Sequence, residues 1–242
     1  MVIDKQQSVE AFHTTHWTVV VDAQAGDSPM AGRALSRLCR IYWKPVYHFI
    51  RLQGHSQHDA EDLTQGFFEA LIEKKYLKSV DQKRGKFRSF LMAATKHYVS
   101  DQWDRQRSWK RGGRAARISI DVAEVEEVVS SELASKLDPE SAFDRAWAAT
   151  ILERTFLKLQ QLFESRGKSQ RFNLLRPCLL GDSERTYADL GRSIGVSEDV
   201  IKTEVRRMRQ NFRSILRDEV GETLSEAGEL DAEIRYLGSL IQ

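Results

Sequence analysis

A chain of 242 residues holds one large domain or two small ones, and with 41% hydrophobic and 30% charged residues both a core and a solvated surface are available. Four Pro and fourteen Gly argue against a turn-rich all-β fold, and long stretches rich in Leu, Ala, Glu, Gln, Arg and Lys point to helices. The net charge of +2 hides a strong pattern. Seven Lys/Arg and two Asp lie between Lys96 and Arg117, seven Asp/Glu and one Lys between Asp121 and Glu140, and six Lys/Arg and one Glu between Lys202 and Arg217.

In chain order, the first dozen residues are polar and expected to fray. A helix is expected from Pro29, with Leu35, Leu38 and Tyr42 on one face. Pro45 should break or kink it, leaving a second piece from Val46 to Leu52 that stops at Gly54. Ser56 can cap the next helix, with Asp59, Glu61 and Asp62 in its first turns and Ala60, Leu63, Phe67, Ala70 and Leu71 on its buried face. The basic, turn-prone segment 81–86 precedes a long helix from Phe87 to about Trp109. Its buried stripe is Phe87, Leu91, Ala94 and Tyr98. Asp121 to Glu140 has no consistent helical stripe and reads as a linker or a weakly ordered segment. A second helical region begins near Ser141, with Trp147 and Ile151 among its apolar positions. The chain ends in a short amphipathic piece with Ile234, Leu237 and Ile241 on one side. No internal repeat appears.

The sharpest local signal spans Thr186 to Arg209. A helix from Tyr187 to Ile194 ends at Gly195, which can take the left-handed conformation of a tight turn. Gly191 supplies a small residue where two helices cross, and Val196 and Ile201 can plug the corner. Ser197 caps the second helix. Ile201, Val205, Met208 and Phe212 form its buried stripe, and Asp199, Lys202, Thr203 and Arg206 its outer face. This is the arrangement expected of a helix-turn-helix, in which polar residues near the start of the second helix reach base edges; the alternative is an ordinary helical hairpin with a solvated basic face. Arg207, Arg209 and Arg213 are placed to meet phosphates.

The outer face of the 87–109 helix carries Lys96, Trp103 and Lys110 at seven-residue spacing, with Ser100 and Arg107 between them. Cations track phosphates and an exposed aromatic stacks on an unpaired base, so melted DNA suits this face. The alternative is that Trp103 packs inward and the charges only solvate.

These residues resemble the extracytoplasmic-function sigma factors of bacterial RNA polymerase. Asp59 to Gln65 resembles the start of sigma region 2.2. Phe87 to Leu91, with Asp101 and Arg105, resembles regions 2.3 and 2.4, and Thr186 to Arg209 resembles region 4.2. Thr14-Thr-His-Trp17, Gly66-Phe-Phe68 and Arg84 to Leu91 are similar to a longer-chain subgroup. The resemblance implies an all-α protein of two small helical domains. A region 2-like domain would span 1–117, an acidic linker 118–139, a region 4-like domain 140–220 and a C-terminal extension 221–242. It implies that Glu61, Asp62, Gln65 and Glu69 dock on the clamp helices of the largest core polymerase subunit. It implies that Lys83, Arg84, Lys86, Arg88, Lys96, His97, Trp103 and Arg107 serve the −10 element. The −35 element would fall to Ser197, Asp199, Lys202, Thr203, Arg206, Arg207, Arg209 and Arg213. Three positions depart from the family's pattern. Gly66 replaces an acidic residue, His97 an Asn, and Glu204 a basic residue. Promoter DNA and core polymerase are the implied partners, with an anti-sigma protein as a further class, and no cofactor is implied.

Two rival readings are weaker. His55/His58 and His13/His16 offer imidazoles at i, i+3, but no third ligand completes a metal site, so an enzyme is not expected. A regulator using only the 186–209 module would need a ligand pocket or dimer interface in its first domain, where this chain has an acidic helix followed by a basic, aromatic one. Cys39 and Cys178 are far apart in apolar segments and read as buried thiols. No stretch approaches the roughly 18 apolar residues that span a bilayer, and no leader-like run opens the chain, so the cytoplasm is the expected compartment.

Overall fold

In the computed structural model, residues 29–73, 86–108, 123–181, 183–224 and 227–241 are described. The expected motif at 14–17, the pair His13/His16, and Lys83, Arg84, Lys110 and the side chain of Arg107 lie outside this set. Among the described residues all regular structure is helical.

Helix α1 (Pro29–Leu52) continues past Pro45 as one helix instead of breaking there. Proline removes one backbone donor. The residues after it, Val46, Tyr47, Phe49 and Ile50, are at most 1% exposed and hold the following turns in place. Helix α2 (Gln57–Ile72) starts as expected, with the amide of Asp59 donating to the Ser56 hydroxyl. Helix α3 (Phe87–Ser108) buries Phe87, Leu91, Ala94 and Tyr98, the stripe read from the sequence.

The acidic segment departs from expectation. Residues Ala123–Ala134 form helix α4 and pack on α1 rather than serving as a loose linker. Val125 and Val129 are buried, and two of its acidic residues, Glu126 and Glu132, find partners on α1. Nε and Nη2 of the Arg51 guanidinium donate to Glu126, at 2.8 and 2.9 Å, and the Tyr47 hydroxyl also donates to it. His48 Nδ1 lies 2.8 Å from Glu132. The Arg51 hydrogen bond, foremost, holds the Glu126 carboxyl below the usual range. Three of the four positions that make α4 work (Val125, Glu126, Val129, Glu132) are spaced at i, i+4 or i+7 from Val125, too few apolar residues to register as a stripe.

Asp138 caps α5 (Pro139–Glu164), accepting from the amides of Glu140 and Ser141, with Pro139 at the first helical position, which tolerates a missing donor. Short helices α6 (Ser169–Leu175) and α7 (Pro177–Leu180) lead to α8 (Tyr187–Ile194) and α9 (Glu198–Gly221). A 3-10 turn, Ala227–Glu229, precedes α10 (Leu230–Leu240).

Two apolar clusters result. The first joins α1, α2, α3 and α4 to the start of α5, to Val220 at the end of α9 and Leu224 just after it, and to Leu237 of α10. The second joins Leu159 of α5 to Phe172, Leu175, Cys178, Leu190, Ile201, Val205 and Met208. Helices α5 and α9 therefore contribute to both. The tail also differs from expectation at one position. Leu237 is buried and Ile234 half-buried, but Ile241 is 51% exposed, and Glu233 lies on the inward face with no exposure.

Candidate nucleic-acid interface

The α8–α9 pair is assembled by local chemistry. The Thr186 hydroxyl accepts from the Asp189 amide and the Asp189 carboxylate accepts from the Thr186 amide, a reciprocal cap. The Thr186 hydroxyl, foremost, holds the Asp189 carboxyl below its usual range. Gly195 ends α8 at φ 70, the left-handed conformation. At Gly191 a Cβ would stand 2.6 Å from the Val196 carbonyl oxygen, so only glycine lets the turn cross so closely. Ile201, Val205 and Met208 are buried beneath α9, and Phe212 is half-buried.

The expected base-reading residues Ser197, Asp199, Lys202, Thr203 and Arg206 are all exposed. Lys202 lies 2.9 Å from Glu198 and 3.6 Å from Asp199, and the Glu198 hydrogen bond raises its ammonium's pKa. Tyr187, Lys202, Arg206, Arg209, Gln210 and Arg213 line one groove along α9. The Arg209 guanidinium also donates to the Cys178 carbonyl at 2.8 Å, which ties it to α7. Arg207 faces another side, toward a concavity shared with Arg166, Lys168 and Arg171. Glu204 lies 3.2 Å from Arg171, so the acidic residue there fastens α9 to α6.

On α3 the expected strip divides. The Lys96 ammonium pairs with Glu140 of α5 and sits 6.0 Å from the Phe49 ring centre. His97 is exposed. Trp103 is 57% exposed, but it borders a groove with His55, Asp59, Asp62 and Tyr98, between α2 and α3. It thus neighbours the face expected to dock on polymerase.

Arg88 requires a correction. It is 8% exposed and faces inward. Its guanidinium donates to Asp144 at 2.7 Å and to Glu233 at 2.8 Å, and lies 5.1 Å from the Trp147 ring centre and 4.6 Å from that of Tyr236. Lys86 reaches Glu233 at 2.5 Å. Burial pushes the Glu233 carboxyl up, but hydrogen bonds from Arg88 and Lys86 overcome this and hold it below the usual range. Burial and the hydrogen bond to Asp144 push the Tyr236 phenol up to about 12. Sequence reasoning missed Glu233. The signal was a lone carboxylate on the same helical face as Leu230, Ile234 and Leu237.

The acidic face of α2 carries Glu61, Asp62, Gln65 and Glu69. Asp62 is exposed, with His58 at 3.8 Å, and the Gln65 amide donates to Glu69 at 3.0 Å. At Gly66 a Cβ would meet the Tyr98 hydroxyl at 2.2 Å, so the ring of α3 occupies the space an acidic side chain would need. Among the described residues no group of three or more His, Cys, Asp or Glu could hold a metal ion, and no helix is long and apolar enough to cross a membrane. Cys39 and Cys178 are free and buried, and burial pushes the Cys39 thiol up to about 12.

Residues 38–108, from the middle of α1 to the end of α3, match the family model of Sigma-70 region 2. No curated protein and no solved structure matches the chain.

Proposed function

We propose that the chain binds core RNA polymerase as a sigma subunit, recognises the −10 and −35 promoter elements and starts transcription. One observation carries this reading. The stretch that is similar to Sigma-70 region 2 is followed, in the same chain, by a capped helix-turn-helix with Lys202, Thr203 and Arg206 exposed near the start of its second helix.

The division of labour follows from charge and placement. Glu61, Asp62, Gln65 and Glu69 present an acidic and amide face suited to a basic helical partner, the polymerase clamp. Exposed His97 and Trp103 with Lys96 form the −10 side. Lys202, Thr203 and Arg206 read upstream bases, and Arg213 meets phosphate. Such a protein works beside the chromosome, in the cytoplasm. It resembles the extracytoplasmic-function group in its sequence motifs, and an anti-sigma protein is a natural regulator for it.

Reconstitution tests the reading. The full chain should co-purify with core polymerase and direct run-off transcripts from genomic fragments it selects. A folded chain that binds duplex DNA with base preference yet fails to bind core polymerase would refute it and leave a helix-turn-helix regulator.

A further inference from the structure

Lys86 and Arg88, at the start of α3, converge on a single carboxylate brought from the far end of the chain. Glu233 accepts from Lys86 at 2.5 Å and from Arg88 at 2.8 Å, and its side chain is 1% exposed. The site is built on its other sides too. Asp144 takes the second arm of Arg88 and the Tyr236 hydroxyl, at 2.7 and 2.5 Å, and the guanidinium lies against the rings of Trp147 and Tyr236. Chemically this is an anion site between an ammonium and a guanidinium, with a glutamate as resident.

The element that delivers the resident is slight. Helix α10 has 11 residues, too few to persist alone in water. Among its apolar residues Leu237 is buried, whereas Leu230, Ile234 and Leu240 are half-buried. Both cations are ones the sequence resemblance assigned to the −10 element, and with α10 in place both are paired to Glu233 instead.

We propose that Glu233 holds the place of a nucleic-acid phosphate, and that α10 is a latch that closes the DNA face of α3 in the free chain. This rests on reading α3 as the −10 surface. A phosphodiester is the anion that can replace a carboxylate here without leaving a buried cation uncompensated, since guanidinium and ammonium bind both with charge-assisted hydrogen bonds. Promoter DNA therefore exchanges anion for anion and releases the tail. The latch also touches the upstream-reading helix. Arg217 of α9 pairs with Asp231 of α10 at 2.6 Å.

Two measurements test this. In the unmodified protein bound to core polymerase, amides 230–240 should lose hydrogen-exchange protection by at least about tenfold when forked promoter DNA is added. In the free full-length chain, Glu233→Gln should tighten binding to the same forked DNA by about tenfold at matched salt, as expected if the closed form leaves only about a tenth of the chain competent. Tail amides that stay protected in the DNA complex would overturn the latch, as would a folded Glu233→Gln chain with unchanged DNA affinity. Failure of the wild-type chain to bind core polymerase would instead remove the sigma reading, and the free-chain measurement would still decide the latch.

Discussion

Gly191 and Arg88 show how much of this protein rests on single side chains. A methyl group at Gly191 would meet backbone, the Val196 carbonyl, and backbone cannot rotate away as a side-chain tip can. Gly191→Ala should therefore lower the unfolding free energy by about 1–3 kcal/mol, measured by urea denaturation. Arg88 was read as a DNA contact, but its guanidinium is buried between two carboxylates and two rings. Arg88→Ala would leave Glu233 without its guanidinium and should cost about 3–5 kcal/mol in the same assay. A loss of DNA affinity with unchanged stability would return Arg88 to the exposed surface. Glu204 teaches the converse. It stands where the resembled family has a basic residue, yet with Arg171 it joins α6 to α9.

At the level of elements, α9 carries two kinds of residue. Lys202 and Arg206 are exposed near its start, and Arg213 lies two turns farther along. Lys202→Ala or Arg206→Ala should relax preference at particular upstream bases, each good contact being worth about 1–3 kcal/mol of discrimination. Arg213→Ala should instead weaken all sequences alike and reduce the salt slope by about one. Titrations of a promoter and a scrambled duplex across salt concentrations read both effects. Helices α4 and α10 are each held by a carboxylate whose pKa is depressed, Glu126 and Glu233. A carboxyl more acidic in the folded than in the unfolded chain contributes stability above the ordinary glutamate value. That contribution is lost as pH falls through the lower folded value. Stability should thus decline on acidification below about pH 5, and the decline should be shallower in a Glu126→Gln, Glu233→Gln double variant. An equally steep decline in that variant would assign the acid sensitivity to other groups.

For the whole molecule, the two apolar clusters share two long helices, α5 and α9. Phe143, Trp147 and Ile151 of α5 belong to the first cluster and Leu159 to the second. Ile201, Val205 and Met208 of α9 belong to the second and Val220 to the first. Neither cluster can lose its packing without exposing apolar residues of a helix that the other cluster also holds. Unfolding by urea should therefore be one transition, the same by tryptophan fluorescence, to which Trp147 of the first cluster contributes, and by far-ultraviolet circular dichroism, which reports both clusters. Two separated midpoints would show that α5 and α9 break between the clusters.

The local elements were legible in the chain because their causes are local. The Ser56 cap, the turn at Gly195, and the buried stripes of α3 and α9 are set by residues within a turn or two of one another, whereas Ser197, expected to cap the second helix, stands at the N-cap position without a side-chain cap hydrogen bond. The exposed face of Lys202, Thr203 and Arg206 follows from the same periodicity. Partners distant in sequence were decided only by the tertiary structure. Glu126 finds Arg51 75 positions away, and Glu233 finds Arg88 145 positions away. No period or composition encodes such a pairing, because a carboxylate on a helix looks the same whether it faces water or a buried guanidinium. That is why an acidic linker became a packed helix, a DNA-facing arginine became a buried one, and a tail read by its isoleucines is anchored by a glutamate.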